Sequence, residues 1–291
     1  MKILITGSSG MLGTALIAKL RGMGHEVIGL SRDNQADVVM DLQIATFEQV
    51  NKMLIKISPD VVVHCAAVLK PKTPSEFLMN SSAIKNFYLS KKAKNIKFII
   101  IGSIAEYGLV TDDVHKITEE TKVGKLNYYG ESKLAQTILS SDFRLQHQLD
   151  ITVLRLSNLI APNLPKTSLI GALFNQIKSK TDEVVHVPSL DCRRDFIDIR
   201  DVIDLLAKLV TNKTPNWLYV VGSGKTTSYG DVINQFNELL TGKRQRKLHI
   251  TVDNVDELYN TQELDTTLVS SDLNWQPAYT LADTLKWCLD E

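Results

Sequence analysis

The first half of the chain alternates short apolar runs with longer stretches in which apolar residues recur at helical spacing. Continuous apolar runs such as Val61–Val63 and Phe98–Ile101 are typical of strands that are buried on both faces. The pattern predicts strands at residues 2–6, 26–30, 37–40, 60–64, 97–103 and 151–156, and helices at residues 11–21, 47–57, 74–93 and 126–146. Strands and helices alternating at these lengths predict a doubly wound, Rossmann-type α/β fold with a parallel sheet covered on both sides.

The pattern loosens after Asn158, where three prolines between residues 162 and 188 separate shorter elements. We therefore expect a dinucleotide-binding domain followed by a smaller substrate-binding lobe, with one segment of the second half packing back on the first domain. The expected boundaries are 1–157 for the domain, 196–222 for the returning segment, and 158–195 with 223–291 for the lobe. Elements at 196–210 and 217–221 are expected within the returning segment.

The expectation of a dinucleotide comes from the glycine-rich segment that follows the first predicted strand and precedes the first helix. In such a turn, Gly7 permits the tight bend, Gly10 lets the backbone approach a pyrophosphate, and Gly13 lets the helix pack closely. The free N–H groups at the helix N-terminus attract phosphate. An ordinary glycine-rich turn is the alternative interpretation. The residues expected to bind the cofactor here are Gly7, Ser9, Gly10, Met11, Leu12 and Gly13.

The end of the second strand carries the residues expected to read the adenosine ribose. An acidic residue there binds the 2′-OH of NAD, whereas an arginine accommodates the 2′-phosphate of NADP. Ser31-Arg32 stands at this point, so we expect NADP(H) in preference to NAD(H). Asp33 follows directly and would favour NAD(H) if the register of the strand end differs by two residues. Asp41 and Leu42, after the third strand, are expected to face the adenine edge, and a solvated Asp41 is an equally good interpretation.

Three side chains form a candidate catalytic group. Ser103 closes a predicted strand, and Tyr129 and Lys133 lie four residues apart on one face of the next helix. A lysine ammonium beside a phenol lowers the phenol's pKa from about 10, so that Tyr129 could act as an acid or base near neutral pH. The carboxyl ends of parallel strands form the active-site edge of such sheets, where the Ser103 hydroxyl can hydrogen-bond a substrate carbonyl. A Tyr-x-x-x-Lys pair on its own is more often a solvent-exposed pair without a catalytic role.

Taken together, these motifs resemble the extended short-chain dehydrogenase/reductases, the nucleotide-sugar epimerase/dehydratase family. The resemblance covers nearly the whole chain and includes an Arg194-Asp195-Phe196 segment and a closing Leu273-Asn274-Trp275-Gln276-Pro277 pattern, in which Asn274 replaces the family's usual glycine. It implies that Tyr129 and Lys133 also contact the cofactor and that the backbone at Ala66 and Ala67 lies along it. It further implies substrate-binding roles for Asn80, Ser103, Asn158 and Arg194. Arg194 is expected on the diphosphate, and Asn80 and Asn158 are expected to position backbone or sugar.

The residues after Ser103 separate the chemistries found within the family. The family's 4,6-dehydratases resemble Thr-Asp-Glu at this point, because expelling water needs an acid and a base. Here Ile104 and Ala105 cannot transfer protons, and Glu106 comes one residue late. The segment instead looks like the GDP-6-deoxy-4-ketohexose reductases that form GDP-D-rhamnose. The resemblance thus implies NAD(P)H-dependent reduction of a 4-keto sugar nucleotide, GDP-linked in preference to dTDP-, UDP- or CDP-linked.

Two other functions stay open at this level. A UDP-sugar 4-epimerase would share the fold and the Ser-Tyr-Lys group, and would keep NAD tightly bound. A non-catalytic, NADP(H)-sensing Rossmann protein would share only the cofactor site, and such proteins tend to lose the Tyr-Lys pair that this chain retains. The family resemblance also implies a homodimer, with the helices at residues 77–93 and 129–146 forming a four-helix bundle between the subunits.

The amino-acid composition excludes several classes of protein. The 291 residues include 33 basic and 33 acidic side chains, and this balance argues against a nucleic-acid-binding protein. The first apolar run is too short for a signal peptide, and no run approaches a membrane span. Three distant cysteines and six scattered histidines predict no disulfide framework and no metal site, and we expect a cytoplasmic enzyme. The basic segments 70–72 and 242–247 are interpreted as solvated loops, the former with substrate phosphates as an alternative.

Overall fold

The computed structural model describes residues 1–69, 73–109, 115–179, 183–241, 248–253 and 263–291. Both basic segments, 70–72 and 242–247, lie outside these residues. A seven-stranded parallel sheet forms the centre of the molecule, with the strand order β10-β6-β5-β4-β1-β2-β3. Its strands are β1 (Lys2–Thr6), β2 (Glu26–Ser31), β3 (Val38–Val39), β4 (Val61–His64), β5 (Lys97–Ser103), β6 (Asp150–Leu156) and β10 (Leu218–Val221). The predicted Rossmann-type architecture is confirmed.

Two smaller sheets lie beside it. A three-stranded sheet has the order β11-β9-β7, and a two-stranded sheet pairs β12 with β8. Their strands are β7 (Asn158–Ile160), β8 (Val185–Val187), β9 (Arg193–Asp198), β11 (Thr226–Ser228) and β12 (Ile250–Val252). Because β7 follows β6 after a single residue, the chain passes directly from the large sheet into the small one.

Several helices of the described chain begin at side-chain caps. Thr46 and Gln49 form a capping box at the second helix, and the Asn127 side chain accepts a hydrogen bond from Gly130 N–H at the fourth. The helices are α1 (Met11–Gly22), α2 (Phe47–Ile57), α3 (Pro74–Tyr88), α4 (Tyr128–His147), α5 (Leu169–Lys178), α6 (Ile199–Thr211), α7 (Tyr229–Thr241), α8 (Thr267–Leu273) and α9 (Leu281–Asp290). Short 3₁₀ helices cover Ala93–Asn95 and Ile104–Tyr107.

Two predicted elements need correction. The helix expected over residues 74–93 ends at Tyr88, where the Ser90 hydroxyl and the Lys91 N–H both donate to the Asn51 side chain and turn the chain towards α2. The stretch 196–210 begins as β9 and becomes helical only at Ile199, because the Asp198 carboxylate accepts the Arg200 N–H and caps α6.

Apolar cores cover both faces of the large sheet. One joins β1, β4 and β6 to α1 and α6, and the other joins them to α2, α3 and α4. Val269 and Trp275 belong to the first core, so part of the segment expected in the small lobe packs beside α6. A third core lies among α5, α7, α9 and β8. We propose that this third core is the centre of the smaller lobe.

Candidate functional site

The expected catalytic side chains lie at the carboxyl edge of the large sheet. Ser103 closes β5, and α4 packs against the 3₁₀ helix that follows it. Gly130 makes this approach possible, because a Cβ there would lie 2.3 Å from the carbonyl oxygen of Ala105. The close packing holds Tyr129 near the end of β5, where the Ser103 side chain is near enough to lower the pKa of the Tyr129 hydroxyl.

The Tyr129 hydroxyl differs from the sequence-based expectation in its pKa. Burial raises the pKa above its usual value, the Ser103 hydrogen bond lowers it, and the negative charge of Glu106 raises it. The expectation that Lys133 brings this pKa down is therefore wrong for this arrangement, because desolvation of the phenolate is the largest effect. Tyr129 is thus a protonated phenol near neutral pH.

Lys133 is buried beneath Tyr129 on α4. Its ammonium donates to the Ile101 carbonyl at 2.5 Å and to the Gln136 side-chain oxygen at 2.7 Å, rather than to Tyr129. Burial lowers the pKa of Lys133 to about 8, while the charges of Glu106 and Cys65 act in the opposite direction. A cation therefore stays at the site at neutral pH, and it is lost under mildly basic conditions.

The glycine loop has the geometry of a phosphate site. Gly7 adopts a φ of 68°, and a Cβ there would lie 2.7 Å from the Ala66 nitrogen. Gly10 is the N-cap residue of α1 and has no side chain, so no side-chain cap bonds the N–H groups of the first turn. Exposed Ser9 and Gly10 lie at this helix end. These features fit the pyrophosphate of a dinucleotide, held by backbone donors.

A buried network holds the loop against the segment that follows β4. Ala66 N–H donates to the Thr6 hydroxyl at 3.2 Å, and that hydroxyl shares a second hydrogen bond with His64 Nδ1 at 2.9 Å. Burial lowers the pKa of His64 to about 3, so the ring is neutral near neutral pH. The network fixes the Ala66-Ala67 backbone beside the glycine loop.

The residues expected at the adenosine end are divided between pocket and core. A pocket of about 200 Å³ beside the glycine loop is lined by residues that include Ser31 and Asp33. Arg32 is exposed between them. Asp41 accepts the Gln43 N–H at 3.0 Å, whereas the Leu42 side chain is buried in the core with α2 and α3.

Asn80 makes backbone contacts, one of the two roles expected for it. Its side-chain oxygen accepts the Val68 N–H at 2.8 Å, and its amide nitrogen donates to the Val68 carbonyl and to the Ser132 hydroxyl. It is 2% exposed, with both ends of its amide bonded to protein. Asn80 therefore holds the backbone after β4 against α4.

Asn158 and Arg194 lie on neighbouring strands of the small sheet, since β7 pairs with β9. Asn158 is exposed and donates to the Asp195 carbonyl at 2.8 Å. Arg194 is half-buried and donates to the Arg193 carbonyl at 2.8 Å. The structure thus brings these two predicted substrate-binding residues to one sheet.

A second cavity was not anticipated from the sequence. It measures about 400 Å³ and lies between α5 and the segment around β8. Lys166, Gln176, His186 and Tyr229 contribute to its lining, while Asn158 and Arg194 do not. The lining comes from residues 166–176, residues 183–188 and Tyr229, and it forms no motif, so only the folded chain reveals the cavity.

Glu106 and Arg155 are two further residues of the site that were not predicted from the sequence. Their side chains form a buried ion pair at 2.8 Å directly behind Ser103. Each lies in an apolar stretch, Glu106 after β5 and Arg155 near the end of β6. A charged residue within an apolar stretch is the sequence signal that could have identified this pair.

The described residues contain neither a candidate metal site nor a candidate membrane-spanning helix. No group of three or more His, Cys, Asp or Glu side chains is arranged to hold a metal ion in those parts of the chain. Among the same residues, no helix has the length and apolar character required to cross a membrane.

Known proteins resemble this chain over almost its full length. A dTDP-6-deoxy-L-talose 4-dehydrogenase (NAD(P)(+)) of Kitasatospora kifunensis is 22% identical over 98% of this chain and 93% of the relative. The GDP-6-deoxy-D-mannose reductase of Pseudomonas aeruginosa is 26% identical over 87% of this chain and 83% of the relative.

Solved structures share the fold. The structure of RMD from Pseudomonas aeruginosa, complexed with NADPH, has a TM-score of 0.85 at 22% identity and covers 99% of this chain and 97% of its own. A UDP-glucose 4-epimerase from Thermotoga maritima, with UDP-glucose, has a TM-score of 0.86 at 19% identity, with 100% and 98% covered. The model of the NAD dependent epimerase/dehydratase family matches residues 3–222, and this chain belongs to that family of nucleotide-sugar enzymes.

Proposed function

We propose that this chain is an NAD(P)H-dependent reductase of the 4-keto group of a nucleotide-diphosphate 6-deoxy-4-ketohexose. The observation that carries the proposal is the placement of Tyr129 near Ser103 at the end of β5, on the same helix as the buried Lys133 cation. A ketone reduction needs an acid that is protonated at working pH, and the raised pKa of Tyr129 meets this need.

Each side chain has a distinct task in this reaction. When bound, a reduced nicotinamide cofactor supplies the hydride that the C4 carbonyl carbon receives. Tyr129 donates its proton to the oxygen on which negative charge develops, and the Ser103 hydroxyl hydrogen-bonds the same oxygen. The Lys133 cation lies one helical turn after Tyr129 on α4. Its proposed task is to hold the nicotinamide ribose.

The residues after Ser103 argue for reduction over dehydration. Ile104 is 5% exposed and apolar, and Ala105 has no ionisable group. The Glu106 carboxylate is fully buried and engaged by Arg155 and by Ser103 N–H, so it has no free oxygen directed to a substrate. Two of the relatives, named as a 6-deoxysugar 4-dehydrogenase and a 6-deoxysugar reductase, support the same reaction class.

We propose NADP(H) as the cofactor in preference to NAD(H). The exposed Arg32 at the end of β2 offers a cation for a 2′-phosphate. The neighbouring carboxylates of Asp33 and Asp37 already accept backbone N–H groups, from Gln35 and Gly29, which weakens their competition for a ribose 2′-OH. The NADPH in the Pseudomonas aeruginosa structure supports this choice.

The proposed substrate is a nucleoside diphosphate sugar, GDP-linked in preference to dTDP-, UDP- or CDP-linked. Arg194 is the proposed diphosphate contact, because its planar guanidinium can donate two hydrogen bonds to phosphate oxygens. Asn158 lies beside it across the small sheet and is proposed to contact the sugar or the diphosphate.

We also propose that two copies of this chain associate through α3 and α4. Leu78 on α3 and Ile138 and Leu145 on α4 are each more than half exposed, although they are apolar. The two helices pack against each other, so these side chains extend one surface. A second pair of identical helices would cover it as a four-helix bundle.

The decisive experiment is a panel of 4-keto-6-deoxy sugar nucleotides with GDP, dTDP, UDP and CDP, each tested with NADPH and NADH. Oxidation of the cofactor, followed by its absorbance, is expected with at least one 4-keto substrate and faster with NADPH. A purified protein that carries stoichiometric NAD and interconverts UDP-sugars without consuming NADPH would instead identify a 4-epimerase. Cofactor binding without turnover of any sugar nucleotide would identify a non-catalytic sensor.

A further inference from the structure

We propose that the buried Glu106–Arg155 pair is a positioning unit, which holds the Ser103 backbone in place and directs the carboxylate charge of Glu106 towards the site of Tyr129 and Lys133. The inference rests on the proposed roles of Ser103, Tyr129 and Lys133. Neither Glu106 nor Arg155 needs to touch the substrate for this role.

The Glu106 carboxylate uses its two oxygens for two different partners. One oxygen accepts the Ser103 N–H at 2.8 Å, and the other accepts Arg155 Nε at 2.8 Å. The Ser103 hydroxyl in turn accepts the Ala105 N–H at 3.2 Å, so both residues cap the short 3₁₀ helix after β5. The orientation of the Ser103 side chain towards Tyr129 therefore depends on a carboxylate three residues later.

The surrounding sheet is shaped to receive this pair. Gly102 on β5 lies opposite Arg155 on β6, and a Cβ at Gly102 would lie 2.7 Å from a Glu106 carboxylate oxygen. On the other side, the Arg155 guanidinium lies over the Tyr107 ring, 4.4 Å from its centre. A buried ion pair adds little stability compared with apolar residues of the same size. Its presence directly behind Ser103 is better explained by its effect on the site.

The charge of Glu106 also reaches the ionisable side chains of the site. Lys133 is faced by His64 and Cys65 after β4, by Glu106 after β5, and by Tyr129 on its own helix. His64 is neutral, and burial raises the pKa of the Cys65 thiol to about 12, so neither supplies an anion near neutral pH.

Glu106 remains as the negative group that faces Lys133. It raises the pKa of Lys133 and also that of Tyr129, and both effects keep the proton-donating form of the site. Glu106 also interacts with Arg155 and Tyr107, and Glu119 in turn interacts with Tyr107. Loss of the Glu106 charge should therefore make both Lys133 and Tyr129 lose their protons at lower pH.

The test is a titration of Lys133 in the full-length, cofactor-free protein with ¹³C-labelled lysine, its signal assigned from a Lys133→Met sample. In Glu106→Gln, the Lys133 midpoint is expected to fall by about one pH unit or more. Glu119→Gln, which removes a carboxylate bonded to Val220 N–H instead, is the matched control and should leave the midpoint unchanged. An unchanged Lys133 midpoint in folded Glu106→Gln would overturn the electrostatic half of the proposal.

Two further variants separate position from charge and guard against misfolding. Glu106→Asp keeps the charge but is too short to reach Ser103 N–H, so kcat should fall about tenfold with an unmoved pH profile. A kcat equal to that of the parent would contradict the positioning half. If Glu106→Gln does not fold, the double variant Glu106→Gln/Arg155→Gln replaces the ion pair with two amides that can bond each other, and the same fall in the Lys133 midpoint is expected.

The titration needs no turnover, so it separates this inference from the proposed function. A parent protein that reduces none of the sugar nucleotides would refute the reductase assignment while the Lys133 midpoints still decide the effect of Glu106. Where turnover is measurable, the basic limb of the reduction rate should move to lower pH in Glu106→Gln together with the Lys133 midpoint.

Discussion

Tyr129 illustrates how one phenol can serve as an acid without an activated, low pKa. Reduction of a ketone consumes a proton, so a phenol that remains protonated is suited to the direction proposed here. The residues Ser103, Tyr129 and Lys133 could be predicted because each follows from local spacing and strand order. The direction of the Tyr129 pKa could not, because it depends on burial and on the acceptors that Lys133 finds at Ile101 and Gln136.

Replacing Tyr129 with phenylalanine tests this role directly. Tyr129→Phe removes one hydroxyl and retains the ring, so cofactor binding should stay within about twofold while kcat falls by about 10² or more. Steady-state rates with the best 4-keto substrate and a fluorescence titration with NADPH measure the two quantities. Near-normal turnover in this variant would show that another group donates the proton.

The lowered pKa of Lys133 predicts the pH dependence of the reaction. Below about pH 8 the side chain is a cation, and above it the cation is lost, so kcat/KM for reduction should decline as pH rises through this region. A pH profile of kcat/KM with NADPH measures this limb. A rate that stays constant well above pH 8 would mean that the Lys133 charge does not contribute.

Among the helices and strands, the prediction succeeded where local sequence signals determine the ends of the element. The alternation of strands and helices placed β1, α1, α2 and β5 within a residue or two, because their apolar periodicity and capping residues agree. The end of α3 was misplaced because Asn51, distant in sequence, captures Ser90 and Lys91. Such a tertiary hydrogen bond leaves no periodic signal in the segment that it ends.

The loop that joins β1 to α1 depends on the absence of one side chain. A Cβ at Gly13 would lie 2.3 Å from the Gly7 carbonyl oxygen, so Gly13→Ala must push the helix away from the loop. We expect a loss of about 1–3 kcal/mol in the free energy of unfolding and a weaker NADPH affinity. Urea unfolding and NADPH titration measure the two effects.

Gly22 provides the matched control on the same helix. A Cβ at this position meets nothing within 4 Å, so Gly22→Ala should keep the parent's NADPH affinity and gain up to about 1 kcal/mol of stability. Equal behaviour of the two variants would contradict the role given to the close approach at Gly13.

At the scale of the whole molecule, the balance of charges acquires a local meaning. The 33 basic residues match the 33 acidic ones, yet Arg32, Lys133 and Arg194 all belong to the proposed ligand sites. The large sheet was predictable because consecutive β-α units add parallel strands in sequence. The small sheet was not, because β9 pairs with β7 and β11 across long separations, for example Asn158 with Phe196. The cavity beside α5 depends on the same long-range packing.

The proposed association through α3 and α4 is a property of the whole molecule and can be tested by its mass in solution. The parent is expected to elute at twice the 32.5 kDa of one chain in size-exclusion chromatography with light scattering. Ile138→Glu places a charge in the middle of the proposed interface, where it would be buried in the dimer without a partner, and it should shift the protein to the monomer. Ile55→Glu changes an equally apolar, 48% exposed residue on α2, outside this surface, and should leave the dimer intact. A monomeric parent, or a dimeric Ile138→Glu protein, would contradict an interface at α3 and α4, because apolar side chains exposed in one copy would then remain exposed in solution.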